Sequence, residues 1–136
     1  MIRMTYLLGL TLLLTGCGQQ NSETVSVAGS ITIAGQPLSG AVITFEPQPG
    51  TPGPKASSVV LDGQYRVDAT AGLRPGQFRV RIAMLPSEML TSVAPDSAKL
   101  VIAAEFDSDS KLSVNLQPTE PNRADFQVET LSRTGR

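Results

Sequence analysis

Residues 25–45 read VSVAGSITIAGQPLSGAVITF, and this stretch decides the fold. In 25–33 the apolar side chains fall on every second residue, which is typical of a strand with one buried face. Gly29 occupies one of these same-side positions, so we expect a bulge or the close approach of another backbone there. Residues 34–37 have the composition of a turn, and the alternation resumes in 41–45 as a second strand.

Five further short strands are predicted, four of them by the same alternation of apolar and polar residues and one, 57–61, from its place between the Pro-rich stretch and the Asp-Gly pair. The Asp-Gly pair at 62–63 is typical of a tight hairpin turn, because both central positions of that turn favour positive φ. This turn predicts that Val60 opposes Tyr65 and that Ser58 opposes Val67. The five strands are expected in 57–61, 65–67, 78–82, 112–117 and 124–129.

Seven short strands in residues 25–129 and the lack of a long amphipathic helix predict an all-β sandwich of two sheets. Residues 130–136 are expected to be a fraying tail. The predicted core contains the residues of the apolar strand faces, which are Val27, Ile31, Ile33, Ile43, Phe45, Tyr65, Val67, Phe78, Val80, Ile82, Leu112, Val114, Leu116, Phe126 and Val128.

The composition excludes several classes of function. The chain has 136 residues, which corresponds to one domain, and it has one Cys, no His and a formal net charge of −1. Catalysis or metal binding by histidine is therefore excluded, as are an internal disulfide and a Cys-rich zinc site. The near-neutral charge argues against a nucleic-acid partner, and the sequence contains neither a Ser-x-x-Lys nor a Gly-x-Ser-x-Gly motif. We expect a non-enzymatic protein with no catalytic, cofactor-binding or metal-binding residues.

The N-terminal 17 residues, MIRMTYLLGLTLLLTGC, have the features of a targeting signal. Arg3 supplies a positive charge, and the apolar run that follows is too short to span a bilayer. The run ends in LTGC, which resembles a bacterial lipobox, the motif in which the Cys is acylated, with palmitate for example, and becomes the first residue. This resemblance implies lipidation of Cys17. An ordinary secretory signal followed by a free Cys is the alternative.

The resemblance to a lipobox implies both the boundaries of the segments and the membrane in which the protein is anchored. Two or more acyl chains give stable membrane anchoring, whereas a single chain is marginal. Gly18 follows the Cys where an Asp would mark retention at the inner membrane, so the analogy with lipoproteins of two-membrane bacteria implies the outer membrane. The segments are then 1–16 as signal peptide, 17–24 as lipidated Cys and flexible tether, 25–129 as sandwich and 130–136 as tail.

The strand pattern resembles that of carboxypeptidase-regulatory-like domains, which are also described as transthyretin-like. The resemblance rests on three motifs across 25–129: a Gly-x-Pro-Leu-x-Gly-Ala turn before a strand ending in Phe, an Asp-Gly-x-Tyr hairpin, and a Pro-Gly-x-Phe-x-Val strand start. It implies an immunoglobulin-like, prealbumin-type sandwich of about seven strands that is usually not catalytic. The residues that carry it are Gly35, Pro37, Leu38, Gly40, Ala41, Phe45, Asp62, Gly63, Tyr65, Pro75, Gly76, Phe78 and Val80.

Two polar groups are candidate binding sites, each with a structural alternative. The run 107–110, Asp-Ser-Asp-Ser, has two carboxylates but is followed by Lys, so a polar turn is favoured over a calcium loop. Arg79 and Arg81 share the polar face of one strand, where they are able to bind anions or acidic glycans. The favoured alternative is that they form solvated pairs across a sheet with Asp125 and Glu129.

Two longer segments are the expected contact surfaces. Residues 46–55 are rich in Pro and Gly, and we expect an exposed loop rather than a polyproline ligand. In 84–106, Ser87 is expected to cap a short helix that ends at Val93. Leu100–Ala104 is open between a short strand and an apolar loop. A connection as long as 84–106 is either functional or a wrap over a sheet edge, and we favour the wrap.

Together these features predict a lipid-anchored envelope protein that acts as a structural or protein-interaction module. An envelope polysaccharide or small-ligand binding module is the alternative, although no aromatic platform for sugar stacking is evident in the sequence. The expected partners are the membrane, through Cys17, and an envelope protein or glycan.

Overall fold

Two β-sheets that share one core make up the architecture. The computed structural model describes residues 23–119 and 121–130. The helix α1 spans Ser87–Val93, and short 3-10 turns cover Ala69–Ala71, Pro95–Ser97 and Ala104–Phe106. In chain order, the strands of the described part are β1 (Val27–Ile33), β2 (Gln36–Pro37), β3 (Ala41–Pro47), β4 (Ala56–Val60), β5 (Gln64–Val67), β6 (Gly76–Met84), β7 (Ser113–Leu116), β8 (Asn122–Arg123) and β9 (Phe126–Val128).

The two sheets differ in the direction of their strands. In the first sheet, β1 is central, with β5 and β2 antiparallel on one edge and β8 and β9 parallel on the other. The second sheet has the order β4-β3-β6-β7 and is antiparallel throughout. The prediction of an all-β sandwich is therefore confirmed.

The strand count differs from the prediction of seven, because the described residues contain nine strands. Each of the seven expected strands is present, with bounds shifted by a few residues at most. The two additional strands are β2 and β8, which have two residues each. Pairs this short contain no alternation that a sequence pattern is able to reveal.

The turn at 62–63 has the predicted conformation but not the predicted hairpin. Asp62 and Gly63 both have positive φ, at 51° and 73°. Only the bridge between Leu61 and Gln64 follows, and β4 and β5 then enter different sheets. The expected pairing of Ser58 with Val67 is therefore wrong. The turn leads the chain from one sheet to the other, so that both strands bury their apolar sides in the same core.

The core closely follows the predicted set. Twelve of the fifteen predicted residues are buried, whereas Leu112, Val114 and Phe126 are partly buried and pack against the others. These three partly buried residues lie in or next to β7 and β9. Both are edge strands, which are less buried than central strands. Phe45 and Tyr65 join the two sheets, with ring centroids 5.9 Å apart. The sequence patterns missed ten buried residues at strand ends or outside the strands, which are Val25, Leu38, Ala41, Ala56, Val60, Leu73, Leu85, Leu90, Ala94 and Ile102.

The first sheet closes tightly around Gly29. A Cβ atom at this position would overlap the carbonyl oxygen of Ala124, so the predicted close backbone approach is confirmed. The Tyr65 hydroxyl donates a hydrogen bond of 2.5 Å to the same carbonyl. Burial, with a smaller contribution from the charge of Asp125, raises the pKa of the Tyr65 phenol well above its usual value.

The sandwich has two distinct ends. We call the end at which the chain enters β1 the near end, and the opposite end, beyond the last residue of β1, the far end. The register places the starts of β4 and β6 at the near end and their last residues at the far end. The turns at 34–35 and 62–63 also lie at the far end. These two ends give a frame in which the functional side chains are located.

Candidate functional site

Arg81 is the centre of an ion-pair network on the outer face of the second sheet. It lies in β6 opposite Thr44 of β3, with its side chain on the face away from the core. Its Nη1 donates to Glu46 Oε1 at 3.1 Å, and its Nε and Nη2 donate to Asp107 Oδ1 at 3.2 Å and 2.9 Å. These hydrogen bonds, first to Glu46 and then to Asp107, raise the pKa of the Arg81 guanidinium.

Arg79 holds the turn at 107–110 against the same face. Its Nε donates to the Ser110 carbonyl at 3.0 Å, and its Nη2 donates to the Ser108 carbonyl at 2.6 Å. The Ser110 hydroxyl is buried, donates to the Val80 carbonyl and accepts from the Leu112 backbone N–H at 3.1 Å. The run Asp-Ser-Asp-Ser is therefore a polar turn that fixes the chain before β7.

The expected pairing of these arginines with Asp125 and Glu129 is wrong. Asp125 and Glu129 flank β9 in the first sheet, whereas the arginines lie in the second sheet. Asp125 instead accepts hydrogen bonds from the Ser30 backbone N–H and hydroxyl, at 2.8 Å and 3.1 Å. The bond from the Ser30 backbone is the main cause of the lowered pKa of the Asp125 carboxyl. Alternation gave the outward direction of these side chains correctly, but it carries no information on which strands are neighbours.

A depression of about 240 Å³ lies beside this network. Two hydroxyls on its floor, those of Thr44 and Ser57, are 2.9 Å apart. Lys55 stands at its rim and forms no ion pair with another residue of the described part. The full lining consists of Val42, Thr44, Glu46, Lys55, Ser57, Arg81, Ala83 and Asp107.

A second depression of about 270 Å³ continues from the first. The two share Ala83 and Asp107, so we treat them as one groove with a polar half and an apolar half. The apolar half is lined mainly by the segment between β6 and β7, through Leu100, Val101 and Ile102. Ile102 also bridges to Thr130, which follows β9, and so ties this segment to the first sheet.

The segment after β6 begins with α1, which packs on the far end of the second sheet. Gly40 makes this possible, because a Cβ atom there would overlap the side chain of Leu90. The predicted end of the helix at Val93 is confirmed, but the helix begins at Ser87 itself, so the expected cap by Ser87 is wrong. Pro86 is the N-cap residue, and no side chain caps the helix. In 100–104 the structure has the single bridge at Ile102 in place of a strand.

The Pro-rich loop 46–55 lies at the near end and is folded onto the sandwich. The Gln48 backbone N–H donates to the Gln77 carbonyl at 3.0 Å, and the Thr51 hydroxyl accepts from the Gln77 N–H at 3.0 Å. Pro54 lies against Gly72. The loop and the segment 84–106, both expected to be contact surfaces, therefore lie toward opposite ends.

Several residues of the groove were not singled out from the sequence. Thr44 and Glu46 alternate with buried residues of β3, so the sequence pattern predicts that their side chains point away from the core. Lys55 and Ser57 carried no comparable signal, and their closeness to Arg81 follows from the β4-β3-β6 order alone. Cys17, the predicted lipidation site, lies outside the described residues.

The described residues contain neither a cluster of metal-binding side chains nor a membrane-spanning helix. No group of three or more His, Cys, Asp or Glu side chains in 23–119 and 121–130 is arranged to hold a metal ion. In the same part of the chain, no helix has the length and apolar character needed to cross a membrane.

Comparison with known proteins gives a likeness to solved structures. No protein-family model matches the sequence, and no curated protein matches it. Among solved structures, the chain is similar to a DUF3823 family protein from Parabacteroides merdae, with 14% sequence identity and a TM-score of 0.46. The match covers 81% of this chain and 47% of that protein, so the chain spans about half of its length.

Proposed function

We propose that this chain is a lipid-anchored protein of the cell envelope whose sandwich is a non-enzymatic module for binding another envelope protein. The observation that carries the proposal is the layer that the segment between β6 and β7 forms over the second sheet. Arg79 and Arg81 hold its later part, and α1 holds its beginning on Gly40. Long connections on a rigid scaffold are disproportionately sites of function.

The anchor is the second part of the proposal. It rests on the lipobox-like LTGC and on the charged and apolar segments before it. A polar stretch of seven residues, 18–24, then leads to the sandwich, and a flexible chain of this length has a reach of roughly 15 Å. The near end would therefore face the membrane, and the far end would face away from it. Gly18 favours the outer membrane by the analogy given above.

We further infer that the sandwich is of the carboxypeptidase-regulatory-like type. Support comes from the conformations at the motif residues. Gly35 and Gly40 have φ of 75° and 79°, as the turn motif requires, and Asp62 and Gly63 form the turn that precedes Tyr65. A domain of this type is usually an accessory module and brings no chemistry of its own, which agrees with a binding role.

The groove chemistry supports binding rather than catalysis. Its two carboxylates, Glu46 and Asp107, both accept hydrogen bonds from Arg81 and are engaged as ion-pair partners. Its two hydroxyls, on Thr44 and Ser57, are hydrogen-bonded to each other, and the sequence supplies no histidine to activate them as nucleophiles.

Binding of an envelope polysaccharide or small ligand is the second candidate. It is favoured by the polar half of the groove, where Lys55 and the hydroxyls of Thr44 and Ser57 provide hydrogen-bond donors. Lys55 forms no ion pair with another described residue. Against it, no aromatic side chain is among the described residues that line either half of the groove, so a platform for sugar stacking is missing. The protein-binding proposal therefore stands first.

The proposal is tested by crosslinking the tagged, lipidated protein in cells, followed by detergent extraction and mass spectrometry. We expect one reproducible protein partner, together with retention of the wild-type protein in carbonate-washed membranes. The Cys17→Ser variant should move to the soluble fraction. If this variant stays with the membranes, the anchor is wrong. If no protein is crosslinked and the protein is retained on purified cell-wall polysaccharide, the second candidate replaces the first.

A further inference from the structure

The exposed large apolar side chains of the described residues all lie toward the far end. Val59 and Leu61 lie at the end of β4, Met89 and Val93 lie on α1, and Val101 lies beside the bridge at Ile102. They are 43–54% exposed. Single exposed apolar residues are ordinary, but their concentration at one end of a small domain is characteristic of an interaction site.

These five residues are linked through the packing beneath them. Val59 pairs with Val42 in β3, and Val42 packs against the small cluster formed by Leu85, Leu90 and Ala94. Met84 belongs to the same contacts and lines the apolar half of the groove together with Val101. The exposed residues therefore surround one continuous apolar base, which we call the far-end surface.

The charges around the far-end surface are mainly negative. Four exposed carboxylates lie there, and a single lysine, Lys99, opposes them. None of these five groups forms an ion pair with another described residue. Their charges therefore remain available to a partner. The carboxylates are Asp62 in the 62–63 turn, Glu88 on α1, Asp96 after α1 and Glu129 after β9.

We propose that the far-end surface docks a protein whose contact patch combines apolar side chains with Lys or Arg. An apolar centre with an acidic rim is complementary to that chemistry, and the rim charges would steer and select the partner. A second copy of this chain fits poorly, because it would bring one acidic rim against another. An anionic lipid surface is disfavoured for the same reason.

This inference deepens the proposed function and rests on it for orientation. With the anchor leading from the near end, the far-end surface faces away from the membrane that holds the protein. A partner there belongs to the opposing side of the envelope compartment or to a neighbouring protein that reaches above the membrane. Met89 suits such a contact, because a methionine side chain adapts to irregular partner surfaces.

The test places a photoreactive benzophenone amino acid at position 89 of the full-length, lipidated protein in cells. Asn115, exposed in β7 toward the near end, is the control position. We expect at least about 10-fold more protein adduct at 89 than at 115, because only the former lies at the docking surface. The partner peptide joined to position 89, identified by mass spectrometry, should contain apolar residues together with Lys or Arg.

Charge reversal separates specific docking from chance proximity. The double variant Glu88→Lys with Asp96→Lys should lower the adduct yield at 89 by about 10-fold or more, since it replaces attraction by repulsion. Glu23→Lys, at the near end, is the matched control and should leave the yield unchanged. Thermal unfolding of each variant checks that the fold is intact; both positions of the double variant are exposed.

Each other outcome overturns the inference. Adducts with a second copy, with lipid or with a glycan contradict the proposed partner, as do equal yields at 89 and 115 or an unchanged yield in the double variant. The Cys17→Ser variant distinguishes this failure from failure of the proposed function. If Cys17→Ser leaves the membrane and no adduct forms at 89 in the wild type, the anchor stands and far-end docking fails. If Cys17→Ser stays in the membrane while the charge-sensitive adduct forms, docking stands and the anchor fails.

Discussion

The two sheets of the sandwich differ in which groups make their closest contacts. In the first sheet, the closest contacts lie between strands, where Gly29 admits the Ala124 carbonyl and Tyr65 binds it. In the second sheet, the outward side chains of β3 and β6 make the contacts, and Arg81 joins Glu46 to Asp107. We therefore expect substitutions at the centre of the first sheet to destabilise the fold, whereas substitutions on the outer face of the second sheet should cost little stability.

The largest expected effect is that of Gly29→Ala. The added methyl group overlaps the Ala124 carbonyl, so β1 and the segment between β8 and β9 must separate. We expect the free energy of unfolding to fall by about 3 kcal/mol or more, since overpacking against backbone relaxes poorly. Urea unfolding followed by circular dichroism measures the change. Thr32→Ala, on the outward face of the same strand, is the control and should cost less than about 1 kcal/mol. Equal effects would contradict the tight closure of the first sheet.

The next effect is that of Tyr65→Phe, which leaves the Ala124 carbonyl without its donor. We expect a loss of about 1–3 kcal/mol at neutral pH, the usual cost of an unsatisfied buried acceptor. The pKa of the Tyr65 phenol is raised in the folded protein, first by burial. Its contribution to stability is therefore complete below the usual tyrosine pKa of about 10 and is lost as the pH rises above it.

Unfolding experiments between pH 7 and pH 11 test this dependence. The wild type should lose stability above about pH 10, and Tyr65→Phe should show less of this loss, so that the two curves converge. Parallel curves throughout this range would show that Tyr65 is not responsible for the alkaline loss.

A smaller effect is expected for Arg81→Met on the second sheet. The substitution removes the hydrogen bonds to Glu46 and Asp107 but retains much of the apolar stem. Because Arg81 is 37% exposed, water and salt screen these ion pairs, and we expect a loss of about 1 kcal/mol that shrinks at high salt. Thermal unfolding at low and high salt checks this. A loss as large as that of Gly29→Ala would remove the contrast between the sheets.

The smallest effect is expected for Asp125→Asn, whose side chain is 52% exposed in the wild type. The pKa of the Asp125 carboxyl is lowered, mainly by the Ser30 backbone N–H. Its stabilisation is therefore present above the usual aspartate pKa of about 4 and is lost as the pH falls through the lower folded value. The variant should be slightly less stable than the wild type at pH 7 and equal to it at the lowest pH. A difference that grows on acidification would contradict this sign.

The sequence predicted most of the sandwich because its information is local. Alternation found six of the seven longer strands, and the buried faces of β1, β3 and β6 are those expected. The 62–63 turn and the close approach at Gly29 also follow from single residue types. These features depend on the spacing of apolar side chains along the chain and on the conformational freedom of single residues. Both are visible in the sequence itself.

Strand neighbours could not be predicted in the same way. The parallel pairing of β8 and β9 with β1 joins residues far apart in the chain, and no local pattern encodes it. For this reason the sequence prediction pairs Arg81 with Asp125, whereas its partners are Glu46 of β3 and Asp107, which stands in a turn outside the strands. The sequence thus singled out Arg81 and Asp107, but not their pairing and not the groove residues that β3 and β4 contribute.

The account is tested most directly by hydrogen–deuterium exchange of the full-length protein. Exchange in native membrane vesicles, where the proposed partner would be retained, is compared with exchange after purification into detergent. We predict added protection in vesicles for peptides of α1, the segment 95–106 and the end of β4, with no change in β1 and β9. Protection confined to the first sheet, or the same exchange in both preparations, would contradict the claim that the second sheet carries the binding surface.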